Sequence, residues 1–549
     1  MSLARFTRIP NERGLGHALL VLAGLVQGPA TIRANDIEVT NVTVETIGDS
    51  VSRVEFDITW ANSWRTINAP GNRDAAWIFV KYLNAVTHTW EHAYLANGGH
   101  TTPFGVIDHL NGREVPGAAF DPVANRSVGV FLHRFGNGSG PFTAQGVRLV
   151  WDRGPYGIGQ ADIDSVKVFA IEMVYIPQGA YYLGSGGSEL GHFYTYPDES
   201  SPYQVTSEAE IPIAAVPGAL YYPDTLTDPN PNYHWGDQLG PIEVGFPKGF
   251  APFYMMKHEV AQRDFVDFLN CLTRVQQSRH TGHPNNNALL APGVTTVNNT
   301  YVMCNSGTSL GRQKIRCDEV VDPDAPVVFY CDGDGDGVGN EVDDGQWVAC
   351  NYLHWRDLAA YLDWCGLRPM TELEFVKAGR GALQTPVPNE YVWGNTSAIP
   401  AGALANMDLI NEQCPTTGAN AVYNNLLTGP VRTGVFAAAG TDRAQAGAGY
   451  YGVLDLGGNV GELAVTIGFP NGRAFDGSLG DGELDSLGLA DEPTWPVTGY
   501  FSGVGVLGGA WILDNTYMRL SDRHTASHFT YTSRSGVNGG RGVRDAPVE

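Results

Sequence analysis

The stretch Arg368-Pro369-Met370-Thr371-Glu372-Leu373-Glu374-Phe375 decides how this chain folds. Thr371 with Glu374 three residues on forms a capping box, in which the hydroxyl takes an orphaned amide of the first helical turn and the carboxylate reaches back to the amide of Thr371. A helix therefore starts here and leads toward Ala378. Upstream, Leu358, Tyr361, Leu362 and Cys365 recur at three- and four-residue spacing, as do Val266 and Leu269, the pattern of short amphipathic helices. The remainder, including Gly447 to Tyr451 and the cluster of Gly536, Gly539 and Gly540, reads as irregular loop.

Other segments flank these helices in a fixed order. Phe169-Ala170-Ile171-Glu172-Met173-Val174-Tyr175-Ile176 comes first, then Phe253-Tyr254-Met255-Met256-Lys257-His258-Glu259-Val260 and Tyr352-Leu353-His354-Trp355. After the 368–375 stretch come Tyr391-Val392-Trp393-Gly394-Asn395, Leu456-Gly457-Gly458-Asn459-Val460-Gly461-Glu462, Gly508-Gly509-Ala510-Trp511 and Gly542-Val543-Arg544. In this order they resemble the sulfatase-modifying factor, or formylglycine-generating enzyme, family. The resemblance implies a C-type-lectin-like architecture for residues 169–549, with an insertion at about 271–349.

Ahead of it, Arg53-Val54-Glu55-Phe56-Asp57-Ile58-Thr59-Trp60 and Val147-Arg148-Leu149-Val150-Trp151 alternate polar and apolar residues, as do several neighbours. Short strands at this spacing predict a β-sandwich over 35–168. The expected fold class is thus α+β and loop-rich, a β-sandwich followed by the lectin-like domain. Within the sandwich, His88 and His92 form an H-x-x-x-H pair that reads as the polar face of a strand or loop, because on a strand the two imidazoles stand too far apart for one metal.

The chain has 549 residues, more than one core usually supports, and 43% of them are hydrophobic. Its 58 acidic and 34 basic side chains give a formal charge of −24, which repels nucleic-acid phosphate and anionic membranes. Arg5, Arg8 and Arg13 precede an apolar run from Ala18 to Val26 and the small residues Gly28, Pro29 and Ala30. That order predicts a secretory signal peptide over 1–34, hence a secreted or cell-surface protein. Later segments are too short in apolar run to predict a transmembrane anchor.

Seven cysteines fall between 271 and 414, and in an exported chain such clustering predicts local disulfides with one thiol left over. They bracket Asp332-Gly333-Asp334-Gly335-Asp336-Gly337-Val338-Gly339-Asn340-Glu341-Val342-Asp343. Asp332, Asp334 and Asp336, the Val338 carbonyl, Asn340 and Asp343 reproduce an EF-hand-type register, with Asp where a bidentate Glu is usual. Ca2+ is the expected ion. The family resemblance implies a second calcium site using Asn406, Asn459 and Glu462, although Gly461 replaces the family's tryptophan.

In the family, the resemblance implies, a cysteine pair near the C-terminus binds copper and activates oxygen, which oxidises a substrate cysteine. Aligned on Gly508-Gly509-Ala510-Trp511, those positions hold Leu513 and Met518. Neither side chain reproduces paired thiolate ligation of Cu(I). One expectation is therefore a non-catalytic protein that binds through Trp511, Tyr517, Arg519 and Arg523. Its ligand would be a glycan, a peptide or a protein, or further copies in a self-assembled surface structure. The Ser, Thr, Tyr, Asn and His content of 525–539 suits adaptable hydrogen bonding. The alternative is a secreted metal- or oxygen-dependent enzyme with Asp514, Asp522 and His524 as its chemical groups, since neighbouring Asp, Arg and His shift one another's pKa values.

Overall fold

The computed structural model describes residues 36–108, 126–223, 235–283, 288–497, 502–526 and 534–547. The signal peptide expected at 1–34 lies outside them. The first strands are β1 (Glu38–Gly48), β2 (Val51–Arg65), β3 (Asp74–Asn84), β4 (Trp90–His92), β5 (Leu95–Ala96), β6 (Val106–Asp108), β7 (Arg126–Ser127), β8 (Val130–His133), β9 (Gly138–Asp152) and β10 (Ile163–Ile176). Short strands β11 (Tyr181–Leu183), β12 (Tyr194–Thr195), β13 (Tyr203–Val205) and β14 (Leu220–Tyr221) follow. The remainder places β15 (Phe253–Met256), α1 (Gln262–Leu269), α2 (Arg274–His280), β16 (Ile315–Cys317), β17 (Phe329–Cys331), α3 (Trp355–Trp364), β18 (Arg368–Pro369) and α4 (Glu372–Arg380). It ends with β19 (Gly461–Val465), α5 (Pro470–Arg473), β20 (Val504–Leu507), β21 (Asn538–Gly539) and β22 (Gly542–Asp545). The chain is rich in sheet and loop and poor in helix.

Alternation builds the first sheet, ordered β1-β2-β9-β5-β7. Val54, Phe56, Ile58 and Trp60 of β2 point inward, and so do Phe142, Ala144, Val147, Leu149 and Trp151 of β9. An extra residue in β9 sits at Gly146, whose φ of 70° and whose amide bond to Asp57 Oδ1 (2.7 Å) mark a bulge that re-phases the strand. Without it the second half of β9 would turn its apolar side chains to solvent.

The second sheet runs β18-β22-β15-β10-β3-β8-β6, with β4 also on β3. Its interior strand β3 has no solvent face over residues 74 to 82, which are all buried. Ala76, Ile78, Val80 and Tyr82 pack into the same cluster as the inward residues of β2 and β9, whereas Ala75, Trp77 and Phe79 enter the main core with α1, α3 and α4. One strand thus serves two cores. Each such Ile, Val or Phe contributes about 1.5–3 kcal/mol by its burial. The domain junction expected between 168 and 169 is occupied by continuous strand, because β10 pairs with β3 along most of its length and with β15 over Met173 to Ile176.

Arg368 and Pro369 form the edge strand of this sheet, where a missing proline amide breaks no ladder. The capping box follows at once: Glu374 N donates to Thr371 Oγ1 (3.1 Å) and Thr371 N to Glu374 Oε2 (3.0 Å). Glu374 also holds Arg368 at 2.7 Å, so one buried carboxylate ties strand to helix.

All seven cysteines are free thiols, which corrects the expected disulfide staples. The β16–β17 register explains one case: Cys331 lies opposite Ile315 and Cys317 opposite Phe329, so each thiol faces a hydrophobe across the ladder. Burial pushes the Cys271 and Cys317 thiols up to about 12, as suits inert core residues. Among the described residues no helix is long and apolar enough to cross a membrane.

Candidate binding and metal sites

β20 runs into Gly508 and Gly509, both left-handed, with φ of 80° and 71°. A Cβ on Gly509 would stand 2.9 Å from Met518 Cγ, and one on Gly508 would stand 2.4 Å from the Leu456 carbonyl oxygen. Backbone therefore packs directly on Met518, which is fully buried. Trp511 is half-buried, its indole donating to the Gly536 carbonyl (2.9 Å) and its amide to the Asn459 carbonyl (2.9 Å). Asp514 is exposed and caps the short turn Asn515–Met518, accepting from Thr516 N (2.8 Å) and from the Thr516 hydroxyl. Tyr517 meets His524 edge to face, with ring centroids 4.8 Å apart. Arg519 donates to Asn389 Oδ1 (3.3 Å) and remains partly exposed.

Arg523 is not part of this surface, which corrects the sequence expectation. It is 3% exposed, sandwiched between Phe193 (4.1 Å) and Tyr222 (4.7 Å), and its Nε donates to Glu372 Oε2 at 2.7 Å. Asp522 is partly buried and accepts the amides of Leu190 (3.3 Å) and His524 (3.1 Å). Its bond to His524 therefore runs to the backbone. Burial pushes the Asp522 carboxyl up to about 7, and burial lowers the His524 imidazole, which Asp514 partly offsets.

A carboxyl whose folded pKa lies above its unfolded value costs stability wherever it is ionised in the fold. For Asp522 that cost is full above about pH 7 and gone below about pH 4. Asp522→Asn is accordingly expected to gain stability at pH 8 relative to its own effect at pH 4, read from urea midpoints. A difference that is flat with pH would contradict this.

The 332–344 loop brings Asp332, Asp334 and Asp344 together, with a carboxylate oxygen from each within 4.8 Å of the others. Position 343 is replaced by 344 in this group, a second correction. The cause is local: Asp344 Oδ1 takes Gly333 N (2.7 Å) and Oδ2 takes Glu341 N (2.6 Å), which folds its carboxylate back onto the start of the loop. Asp343 and Val338 are exposed, Asp336 Oδ1 accepts Val338 N (2.7 Å), and Asn340 Oδ1 accepts Cys331 N (3.2 Å). Asp332 is fully buried and also ion-paired to Arg316. Three convergent carboxylates fit a hard divalent cation.

The residues of the second calcium set drawn from the resemblance already have partners or lie at the surface. Asn406 is exposed on a turn, while Asn459 Oδ1 accepts Val431 N (2.8 Å) and its amide donates to Glu259 (2.6 Å). Glu462 already has a counter-cation in Arg541, at 2.6 Å. Another acidic group, which the sequence reading missed, is Asp363 with Asp481 and Asp491, again with oxygens within 4.8 Å. Asp363 ends α3 fully buried, and its two oxygens accept Asp481 N (3.1 Å) and Asp491 N (3.2 Å). Burial, then the neighbouring Asp481 and Asp491, raise its pKa well above the usual range. The signal available was the acidic loop 476–492; its helical partner lay too far away in sequence to see.

His92 and His88 part ways: His92 is buried on β4, bonded to the Val128 carbonyl (2.8 Å), and His88 is exposed in a turn.

A family model described as the sulfatase-modifying factor enzyme 1-like domain matches residues 247–546. No curated protein matches the chain.

Proposed function

The chain belongs to the sulfatase-modifying factor family, and from that premise we propose that it is an exported binding or surface-structural protein, built on the family scaffold and stabilised by calcium. The observation that carries this reading is Met518, a fully buried thioether where the resemblance aligns one copper-binding cysteine, with Leu513 at the other. Those residues do not fit a Cu(I)-thiolate centre. Partly exposed Trp511, Tyr517 and Arg519 remain as the recognition surface, toward a glycan, peptide, protein or further copies of the chain. The two sheets that share the β2, β3, β8 and β9 cluster form, on this reading, a β-sandwich that presents the domain.

A second reading draws on Asp522, whose carboxyl titrates near neutrality beside the partly exposed His524. It makes the protein a metal- or oxygen-dependent enzyme of different chemistry.

The test incubates the purified protein with Cu(I), oxygen and a cysteine-containing peptide, followed by mass spectrometry. Unchanged peptide is expected, and an aldehyde product would overturn the binding reading. Metal analysis of the same preparation divides the two readings: calcium alone supports the binder, whereas stoichiometric iron or copper supports the enzyme.

A further inference from the structure

A cavity of about 390 Å³ lies between the end of β2 and the loop 437–454 and shares no lining residue with the Trp511 surface. Its volume is in the range of small-molecule sites. Ala437, Ala446 and Ala448 line one side, and Trp64 and Tyr450 supply aromatic wall.

At its floor lie Glu172 and Lys257, 4% and 5% exposed. Lys257 Nζ donates to Glu172 Oε2 at 2.7 Å and stands 3.7 Å from Asp74 Oδ2. Asp74 is fully buried and satisfied by Trp60 Nε1 (3.0 Å), Ser63 Oγ (2.8 Å) and Trp64 N (2.9 Å). Among the described residues Glu172 Oε1 has no hydrogen-bond partner. Two buried carboxylates therefore face this ammonium, with Asp36 a further acid acting on Glu172 and Lys257, and among the described residues one of their oxygens is left without a donor beside a cavity of mixed polar and apolar lining. A buried acceptor in that state is destabilising until something donates to it. Arg443, also in the lining, spends its guanidinium on the Gly379 (2.7 Å) and Val392 (2.6 Å) carbonyls, and its acidic neighbour is Glu390.

We propose that this cavity binds an organic ammonium with an apolar body, such as a lysine side chain or a small alkylamine, its N–H donating to Glu172 Oε1. A neutral polyol would meet the missing donor but leave the surplus negative charge in place. An ammonium meets both and places its stem against the alanines and Trp64. The raised pKa of Lys257, held up by Glu172 and Asp74 in spite of burial, agrees with an acid-rich floor.

Calorimetric titration of the full chain at pH 7 with pentylammonium, pentanol and methyl glucoside tests this. Pentylammonium is expected to bind saturably, at least about tenfold more tightly than pentanol. Glu172→Gln should abolish that preference, and Ala437→Trp, which fills the mouth and leaves the charges alone, should weaken binding at least about tenfold. If Glu172→Gln does not fold, Ala437→Trp carries the test alone. Equal binding of pentanol, preferential binding of the glucoside, no saturable binding, or unaltered pentylammonium binding by folded Ala437→Trp would each overturn the proposal.

Discussion

Arg523→Ala is expected to destabilise the protein by about 3–5 kcal/mol and to do so without acting on any exposed surface. The guanidinium neutralises Glu372, itself 2% exposed, through bonds of 2.7 Å and 3.2 Å. It also donates to the Gly191 carbonyl (3.1 Å) and stacks on Phe193 and Tyr222. Truncation to alanine removes the stacking and leaves a buried carboxylate whose remaining bond is the Ile467 amide to Oε1, 2.7 Å. The unpaired charge is the larger part of the penalty, so Glu372→Gln in the same chain should recover a share of it, a coupling that a double-mutant cycle measures. Arg519→Ala, on a partly exposed side chain with a long 3.3 Å bond, should cost no more than about 0.5 kcal/mol of stability, read from urea unfolding. A stable Arg523→Ala protein that had lost ligand binding would return Arg523 to the recognition surface.

Arg523 marks the boundary of what sequence can reveal here. Local signals carried well: the Thr371 box needs only its own four residues, and the alternation of β2 is complete within the strand. The ordered motifs are enough to identify the family, whose match covers 247–546. Quantities set by distant chain were not legible. Arg523 turns inward because Phe193, Tyr222 and Glu372 arrive there from three other segments. β3 reads as one more short strand, yet both its faces are buried, because β8 and β10 flank it and two cores meet across it. Asp363 lies in α3, more than a hundred residues before the 476–492 loop that folds Asp481 and Asp491 onto it. The shift from Asp343 to Asp344 is a one-residue choice between adjacent carboxylates, made by the Gly333 and Glu341 amides.

That one-residue shift supplies the sharpest test of calcium. Protein stripped with a chelator is expected to melt at a lower temperature than the same protein in millimolar calcium, each occupied site adding about 2.7 kcal/mol when calcium reaches a hundred times its dissociation constant. Asp344→Ala should remove the share that belongs to the 332–344 loop, whereas Asp343→Ala, on an exposed carboxylate outside the cluster, should leave it. Asp363→Asn should remove a separate share. Magnesium should stabilise less, because it demands a regular octahedron and gives up its waters reluctantly. The effect has a sign with pH. Burial raises the carboxyls of Asp344, Asp363 and Asp491, and neighbouring acids raise them further. In the metal-free protein these groups lose stability as pH rises through their folded values, and a divalent cation offsets that loss, so the gain from calcium should grow from pH 5 to pH 8. Melting curves that are identical with calcium and with chelator at pH 8 would remove calcium from the proposed function; loss of the effect in Asp343→Ala and its survival in Asp344→Ala would restore the register read from the sequence.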